Sequence, residues 1–285
     1  MPNYNKSEHI SSAIESVLSQ TASDFELIVV DDASTDGSAK IVEEKSRNDS
    51  RVSLVRNQVR RGASHCRNVG IKLSRGENIA LLDSDDVYAK NALEVKSRAM
   101  RVSSTPVVVY SDYWLLDANG VGLPHWIQKS CTMSGMIFKE FLIHGISVQA
   151  NLMVPKAFFD EIGPFDESIS WGEDTDMIFR LARRYPFKYL DEQLYGYRLY
   201  SGNTWNKLSS RQRLASKTAI KEKYFRENIG SLDQRTRLIV ESRLVESYFK
   251  SHRYWRAMKN SVSSPGIFAG YLTLILMAVD GRLVP

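Results

Sequence analysis

Three carboxylates lie within four consecutive positions of this sequence, at Asp83, Asp85 and Asp86. Because like charges at such short range repel one another, a folded site there needs a compensating cation. No histidine or cysteine lies alongside, and oxygen ligands alone favour a hard divalent cation, Mg²⁺ or Mn²⁺, over Zn²⁺. A metal that also held a diphosphate would neutralise the charge of a leaving group. The competing interpretation is an ordinary solvated aspartate-rich turn.

A second acidic pair, Asp31 and Asp32, directly follows the apolar run at residues 25–30. A carboxylate at a helix-capping turn is commonly structural. At the end of a strand it could instead accept hydrogen bonds from a nucleobase or a ribose. The sequence alone leaves both interpretations open.

A third acidic segment, Trp171-Gly172-Glu173-Asp174, opens a predicted helix. Acidic side chains in a first helical turn are favoured by the helix dipole, so the segment is compatible with a simple helix start. The functional interpretation is that one carboxylate protrudes as a general base. The glycine would then permit close approach of a substrate, and Trp171 would offer a face to a sugar ring.

A diphosphate would also require a cationic side chain, and two arginines are candidates. Arg67 lies at the start of a predicted helix, and Arg198 lies in a Tyr-Arg-Leu-Tyr segment. Either is equally compatible with a surface charge. The histidines show no metal-ligand spacing and are predicted to be structural; they are His9, His65, His125, His144 and His252.

Strands and helices must alternate to position these residues. Short apolar runs predict strands at residues 25–30, 52–55, 78–82 and 107–110. Residues spaced for amphipathic helices lie between them, at about 10–18, 38–47, 63–73 and 91–102, and again at 173–184. The alternation predicts an α/β fold with a Rossmann-like, mostly parallel sheet and helices on both faces. Ligands bind beyond the carboxyl ends of such strands, where the first two acidic clusters fall.

The composition is that of an ordinary folded protein. The chain has 285 residues, 43% of them hydrophobic and 25% charged, which excludes disorder throughout. Two cysteines outside any C-x-x-C pattern exclude a disulfide scaffold and fit a reducing compartment. Residues 1–5 are polar, unlike a secretory signal. We therefore expect a cytoplasmic protein.

The net charge of +5 hides an asymmetry along the chain. Residues 201–285 hold 15 basic and 6 acidic side chains, a net of +9, whereas the first 200 residues carry a net of −4. This pattern argues against a nucleic-acid groove through the acidic part. It favours contact of the basic part with an anionic surface, although a solvated basic face is equally compatible. We expect two domains, 1–205 and a helical, basic 206–285.

Near the end of the sequence, Ile267–Val279 forms an apolar run of 13 residues. About 20 residues are needed to span a bilayer, so this run is too short. It is compatible with a buried core helix or with an interfacial contact on the inner face of the cell membrane. Dimerisation through the same helices is a third interpretation, so an oligomer remains among the expectations.

Seven sequence blocks occur in a fixed order, and together they carry a family resemblance. They are Pro2-Asn3-Tyr4-Asn5, Ser16–Thr21, Phe25–Ser38, Arg67-Asn68-x-Gly70, Leu82–Asp86, Ile162–Glu167 and Gly172-Glu173-Asp174. With these blocks the chain resembles the family-two group of inverting glycosyltransferases, which have the GT-A fold. The resemblance covers residues 2 to about 204.

The resemblance implies an enzyme that moves a sugar from a nucleotide-diphospho-sugar to an acceptor hydroxyl. A UDP-sugar is the expected donor, and a glycan or lipid-linked molecule of surface polysaccharide synthesis is the expected acceptor. The implied cofactor is Mn²⁺ or Mg²⁺. A sugar-1-phosphate nucleotidyltransferase shares the architecture but is disfavoured, because no Gly-x-Gly-Thr-Arg loop is present.

The resemblance also implies residue roles. Pro2, Tyr4 and Asp32 match positions that hold the nucleoside, and with Arg67, Asp83 and Asp85 they form the predicted donor-binding set. Asp85 and Asp86 would hold the metal. Asp174 matches the catalytic base, while Trp171, Glu173 and Arg198 are predicted to contact acceptor or diphosphate.

Two departures from the family pattern bear on activity. Family members have an apolar strand before Pro-x-Tyr-Asn, whereas this sequence begins at Met1, so we expect the first strand of the sheet to be lacking. Tyr200 stands where many members have histidine after a Tyr-Arg pair. The alternative function is therefore a catalytically impaired protein that binds nucleotide sugars.

Overall fold

The structure, a computed structural model, describes residues 1–123, 132–144, 151–203 and 208–251. Two of the five histidines, His125 and His252, lie outside these ranges, as does the apolar run Ile267–Val279. Across the described part of the chain, none of the helices combines the length and the apolar character needed to cross a bilayer.

The elements follow one another as the alternating pattern predicts. The strands are β1 (Pro2–Asn3), β2 (Leu27–Asp31), β3 (Val52–Arg56), β4 (Asn78–Ala80), β5 (Val87–Tyr88), β6 (Val108–Leu116), β7 (Leu152–Pro155) and β8 (Phe187–Arg198). The α-helices are α1 (Ile10–Leu18), α2 (Ser38–Asn48), α3 (Ala63–Leu73), α4 (Ala92–Arg101), α5 (Phe138–His144), α6 (Lys156–Ile162), α7 (Glu173–Arg184), α8 (Ser210–Asn228) and α9 (Gln234–Lys250). A short 3₁₀ turn, Ile229–Ser231, separates α8 from α9.

The first sheet is parallel, with strand order β1-β2-β3. Its central strand, β2, is a run of Leu-Ile-Val-Val, and such continuous apolar sequence suits a strand covered on both faces. The helix α1 packs through Ile10, Ala13, Ile14 and Val17, which are buried at helical spacing. The α/β class predicted from the sequence is thereby confirmed.

The second sheet is mixed, with strand order β4-β7-β6-β8-β5. Only β6 and β8 pair in parallel there, and the remaining pairs are antiparallel. The sequence pattern predicted parallel units up to Tyr110, whereas β4 and β5 of this region pair antiparallel with β7 and β8, which come from the later part of the chain. The last strand of the sheet on one side is β4, which pairs with β7.

The chain divides into two compact units. Among the described residues, the first unit contains β1–β8 with α1–α4, α6 and α7, and the second contains α5, α8 and α9. In the second unit, α8 starts with a capping box between Ser209 and Gln212, and Lys139 of α5 pairs with Asp233 at 3.3 Å. The domain boundary predicted at residue 205 stays a prediction.

Within the first unit, an asparagine fixes the loop that leads into α7. The side chain of Asn68, on α3, accepts a hydrogen bond from the Phe165 backbone N–H (2.8 Å) and donates to the Phe165 carbonyl (2.9 Å). The same amide donates to Glu167 at 3.0 Å. On the other side, Arg180 of α7 donates to the carbonyls of Ile162 and Gly163. The loop is therefore tied to α3 and to α7 at once.

Replacing Asn68 by alanine should destabilise the first unit. Asn68→Ala removes the two hydrogen bonds to the Phe165 backbone, and we expect the free energy of unfolding to fall by about 2 kcal/mol. Urea unfolding followed by circular dichroism measures the change. Asn119→Ala, at an exposed position in the turn after β6, is the matched control and should stay within about 0.5 kcal/mol of the parent. Equal stability of the two variants would contradict the assigned role of Asn68.

Candidate active site

The carboxylate of Asp32, just beyond the end of β2, accepts three hydrogen bonds from the protein. It accepts from the Asn57 side chain (2.9 Å) and from the backbone N–H groups of Arg61 (2.7 Å) and Gly62 (2.8 Å). Burial alone would raise the pKa of Asp32, but these hydrogen bonds outweigh burial and lower it. Asp32 is thus anionic and holds the loop before α3 in place. Its contact with a nucleoside stays a prediction.

A buried polar network joins β1 to the loop after β2. Asn3 donates to the carboxylate of Asp31 (2.7 Å) and to the hydroxyls of Ser34 (3.3 Å) and Ser38 (3.0 Å). In the same loop, the Asn5 side chain accepts from the backbone N–H of Thr35 at 2.8 Å. Asn3 was not among the predicted site residues, although its place inside the Pro-x-Tyr-Asn motif was a signal for it. Asp31 was considered only as half of the acidic pair with Asp32, and the structure shows it bound to Asn3.

Pro2 and Tyr4, predicted to hold the nucleoside, flank this network. Pro2 pairs with Val30 in the parallel ladder, and the ring of Tyr4 lies 4.1 Å beneath the guanidinium of Arg60. A cation above a tyrosine ring forms a favourable electrostatic contact. Arg60 is a further residue of this corner that the sequence interpretation did not identify.

Arg67 connects two acidic segments that are far apart in the sequence. Its guanidinium donates to Asp83 at 2.8 Å and to Glu173 at 2.7 Å, and only 7% of its side chain is exposed. Burial would lower the pKa of Arg67, yet the two carboxylates raise it above its usual value. Burial likewise raises the pKa of Glu173, with Arg67 opposing the shift. Arg67, predicted to contact a diphosphate, therefore links the Asp83 loop to the start of α7.

The carboxylate of Asp85 forms an ion pair with the side chain of Lys6. The Lys6 ammonium lies 2.6 Å from Oδ2 of Asp85, and the Tyr200 hydroxyl donates to the same oxygen at 2.9 Å. Lys6 also hydrogen bonds to Tyr200, whose ring contacts His9. The ammonium marks a position beside Asp85 where positive charge is stabilised. The oxygen donor and this stand-in cation fit the predicted role of Asp85 as a ligand of Mn²⁺ or Mg²⁺.

Asp86, unlike Asp85, has uncharged hydrogen-bond donors at its carboxylate oxygens. It is 1% exposed, and its two oxygens accept from the Tyr195 hydroxyl (2.6 Å) and the Arg198 backbone N–H (2.8 Å). Burial, and then the charges of Asp85 and Asp83, raise its pKa well above the usual value. With both oxygens engaged, Asp86 ties the loop to β8. Its role as a metal ligand stays a prediction, and within the described ranges no three metal-binding side chains converge on one point.

Arg198, predicted to contact acceptor or diphosphate, is buried behind the same loop. Its guanidinium donates to the carbonyls of Asp85 (2.7 Å) and Ala118 (3.2 Å) and to the Ser12 hydroxyl (3.2 Å). The contact with the Asp85 carbonyl fixes the backbone of the loop that carries Asp83, Asp85 and Asp86, which we call the aspartate loop. The predicted ligand contact of Arg198 remains untested.

The start of α7 presents Asp174 next to the Arg67 link. Gly172 adopts φ 90°, a left-handed conformation that glycine reaches without strain, and the helix begins at Glu173. The carboxylate of Asp174 accepts from the backbone N–H of Thr175 at 2.6 Å, and Asp174 and Trp171 are both partly exposed. Since the neighbouring Glu173 binds Arg67, Asp174 lies one residue from the chain of contacts that reaches Asp83. The base role of Asp174 stays a prediction.

Comparison with known proteins identifies the family. Residues 1–160, more than half of the chain, match Glycosyl transferase family 2. Chondroitin synthase of Escherichia coli is 31% identical over 210 residues, which cover 72% of this chain and 29% of that protein. The chain therefore spans less than a third of this relative.

Solved structures agree with this assignment at the level of the fold. A fragment of Staphylococcus aureus TarS in complex with UDP-GlcNAc superposes with a TM-score of 0.61 at 19% identity, covering 86% of this chain and 79% of the other. The mannosyltransferase PcManGT of Pyrobaculum calidifontis, in complex with GDP-Man and Mn²⁺, gives a TM-score of 0.58 at 14% identity, covering 98% and 79%. The predicted GT-A fold is confirmed, and the chain belongs to glycosyl transferase family 2.

Proposed function

We propose that this glycosyltransferase moves a sugar from a UDP-sugar to a hydroxyl of a glycan or lipid-linked acceptor, with inversion at the anomeric carbon. The observation that carries the proposal is the Arg67 link, which binds Asp83 on one side and Glu173 on the other. It holds the aspartate loop close to the start of α7. An inverting transferase needs this arrangement, because its donor-binding residues must lie next to the catalytic base. The UDP-GlcNAc bound to TarS and the polysaccharide product implied by the name chondroitin synthase support the choice of donor and pathway.

The donor would bind with its nucleoside against Tyr4 and Asp32 and its diphosphate toward Asp85. A divalent cation held by Asp85 would neutralise the negative charge that develops on the leaving diphosphate. Lys6, already paired with Asp85, adds positive charge to the same corner of the site. Electrostatic stabilisation of this kind is commonly a large contribution to the rate.

Asp174 would perform the proton transfer. Its carboxylate would take the proton of the acceptor hydroxyl while that oxygen attacks the anomeric carbon. The nucleoside diphosphate leaves from the opposite face, so the configuration inverts. Trp171, partly exposed at the start of the same segment, would give an acceptor or donor sugar an aromatic face.

Neutralising the proposed base should remove turnover but not donor binding. For Asp174→Asn we expect kcat to fall by about 10²- to 10⁴-fold, the usual contribution of a general base. UDP affinity should remain within about twofold of the parent, because the aspartate loop is unchanged. Release of nucleoside diphosphate from a panel of UDP-, GDP- and dTDP-sugars measures the rate.

Asp160→Asn, on an exposed position of α6, is the matched control and should keep the parent rate. Unchanged turnover in Asp174→Asn would point to a different base. Donor binding without turnover in the parent chain would support the alternative of a catalytically impaired nucleotide-sugar-binding protein.

Removing the charge of Asp85 should uncouple UDP binding from Mn²⁺. Calorimetric titration of the parent with UDP is expected to show at least about tenfold tighter binding in Mn²⁺ than in EDTA, about 1.4 kcal/mol. For Asp85→Asn the two conditions should give the same affinity. The EDTA measurement serves as the internal control for folding of the variant. An undiminished Mn²⁺ effect in Asp85→Asn would assign the metal to other ligands.

We also propose that the basic C-terminal part holds the enzyme at the inner face of the membrane, where a lipid-linked acceptor lies. The net charge of +9 in residues 201–285 and the run Ile267–Val279 support this. Flotation with anionic vesicles should carry the full chain upward, since each basic residue near the surface adds about 1 kcal/mol. A chain ending at Ser261 keeps this basic charge but lacks the apolar run Ile267–Val279, and it should float less. Neutral vesicles are the control. Equal flotation of both chains on anionic vesicles would contradict the proposal.

A further inference from the structure

The loop between β3 and α3 is closed onto a single carboxylate. Asp32 accepts from the side chain of Asn57, where the loop begins, and from the backbone N–H groups of Arg61 and Gly62, where it ends. Both ends of the loop are therefore fixed by the same group. Between them, residues 58–60 form an exposed tip.

Arg60 lies in this tip and contacts an aromatic ring. Its guanidinium lies 4.1 Å from the ring centroid of Tyr4, which is half-buried, whereas Arg60 itself is exposed. A guanidinium is planar and stacks on aromatic faces. Atoms in van der Waals contact lie about 3.5–4.0 Å apart, so the two groups touch, and no base fits between them in this arrangement.

Arg60 differs from the other arginines near this corner in its contacts. Arg56 lies 3.9 Å from a carboxylate oxygen of Asp31, and Arg61 lies 3.9 Å from one of Glu167. Among the residues that the structure describes, no carboxylate lies within 4.0 Å of Arg60, and its contact is the ring. The Arg60 side chain therefore breaks no ion pair with these residues when it moves toward a ligand.

Tyr4 is the residue against which the proposed function places the nucleoside, and the inference rests on that proposal. A base that stacks on the ring face now covered by Arg60 must displace the guanidinium. The backbone next to Arg60 is held by Asp32, so the side chain is the part that turns aside. The displaced guanidinium can then stack on the outer face of the base, because arginine planes stack on nucleobases as aromatic side chains do.

We propose that Arg60 is a nucleobase clamp, which covers the outer face of the donor's base while Tyr4 covers the inner face. The group that the clamp recognises is the flat base and not the diphosphate. Every base has a face on which such stacking can occur. Arg60 therefore adds affinity for the nucleotide and leaves the choice of base to other residues.

Calorimetric titration in Mn²⁺, with UDP and with inorganic pyrophosphate, separates the base from the diphosphate. For Arg60→Met we expect UDP affinity to fall at least about tenfold, within the usual range for one base stack. Pyrophosphate affinity should stay within about twofold of the parent. Equal losses for the two ligands would overturn the clamp, because they would assign Arg60 to the phosphates.

A conservative variant separates stacking from charge. Arg60→Lys keeps the positive charge but lacks the planar group, so it should lose UDP affinity as Arg60→Met does. Parent-like UDP binding by Arg60→Lys would overturn the clamp, since a point charge would then be sufficient.

Arg51→Met is the matched control. Arg51 also places its guanidinium over a ring, 4.5 Å from the centroid of Phe25, but it lies just before β3, whereas Arg60 follows β3. This variant should bind UDP like the parent. An equal loss of UDP affinity in Arg51→Met would overturn the proposal, because any stacked surface arginine would then have the same effect.

A double variant separates contact with the base from support of the Tyr4 ring. If Arg60 touches the base, Arg60→Met should weaken UDP binding at least about threefold further when it is added to Tyr4→Leu. An absence of further loss in the Tyr4→Leu background would mean that Arg60 acts only through the ring, and the clamp would be overturned.

Failure of the clamp is distinguishable from failure of the proposed function. A parent chain without affinity for UDP in Mn²⁺ would overturn both. UDP binding by the parent, together with unchanged binding by Arg60→Met, would overturn the clamp alone. Because Arg60 is exposed, its replacement should leave the fold intact.

Discussion

The buried guanidinium of Arg67 is the contact on which the arrangement of the site depends. A charge with 7% exposure is stable only because Asp83 and Glu173 both pair with it. Removing one partner of such a buried pair typically costs about 3–5 kcal/mol, since the other charge is left uncompensated. The aspartate loop, α3 and the start of α7 therefore occupy positions that are fixed jointly. This is how segments more than 100 residues apart come to lie side by side.

The same principle accounts for the acidic loop as a whole. Each of its carboxylates has its own partner: Arg67 for Asp83, Lys6 and Tyr200 for Asp85, and Tyr195 with the Arg198 backbone for Asp86. The partners differ in charge. A cation pairs with Asp83 and with Asp85, whereas the two oxygens of Asp86 accept from an uncharged hydroxyl and a backbone N–H. The loop is thus neutralised by side-chain cations at two carboxylates and held by hydrogen bonds at the third.

Local patterns predicted the elements, and distant contacts produced what was missed. The helix predicted at 63–73 is α3 as observed, because its spacing and its flanking glycines act within one segment. The contacts of Lys6 and Asn68 could not be found in this way. Their partners lie 79 and 97 residues away, and even the Arg67-Asn68-x-Gly70 block, which contains Asn68, does not indicate the loop that it holds. For Arg198 the sequence showed a charge near the site but not that its guanidinium faces the backbone of the loop.

The position of Tyr4 depends on the polar contacts of its neighbour Asn3. Asn3 donates to the carboxylate of Asp31 and to the hydroxyls of Ser34, in the loop after β2, and Ser38, the first residue of α2. The network acts through the amide nitrogen of Asn3, which donates to all three partners, whereas the side-chain oxygen of Asn3 is buried without a hydrogen-bond partner among the described residues. The Pro-Asn-Tyr-Asn motif is thereby tied to the loop after β2 by side-chain contacts as well as by the parallel ladder, and these contacts fix the backbone from which Tyr4 extends.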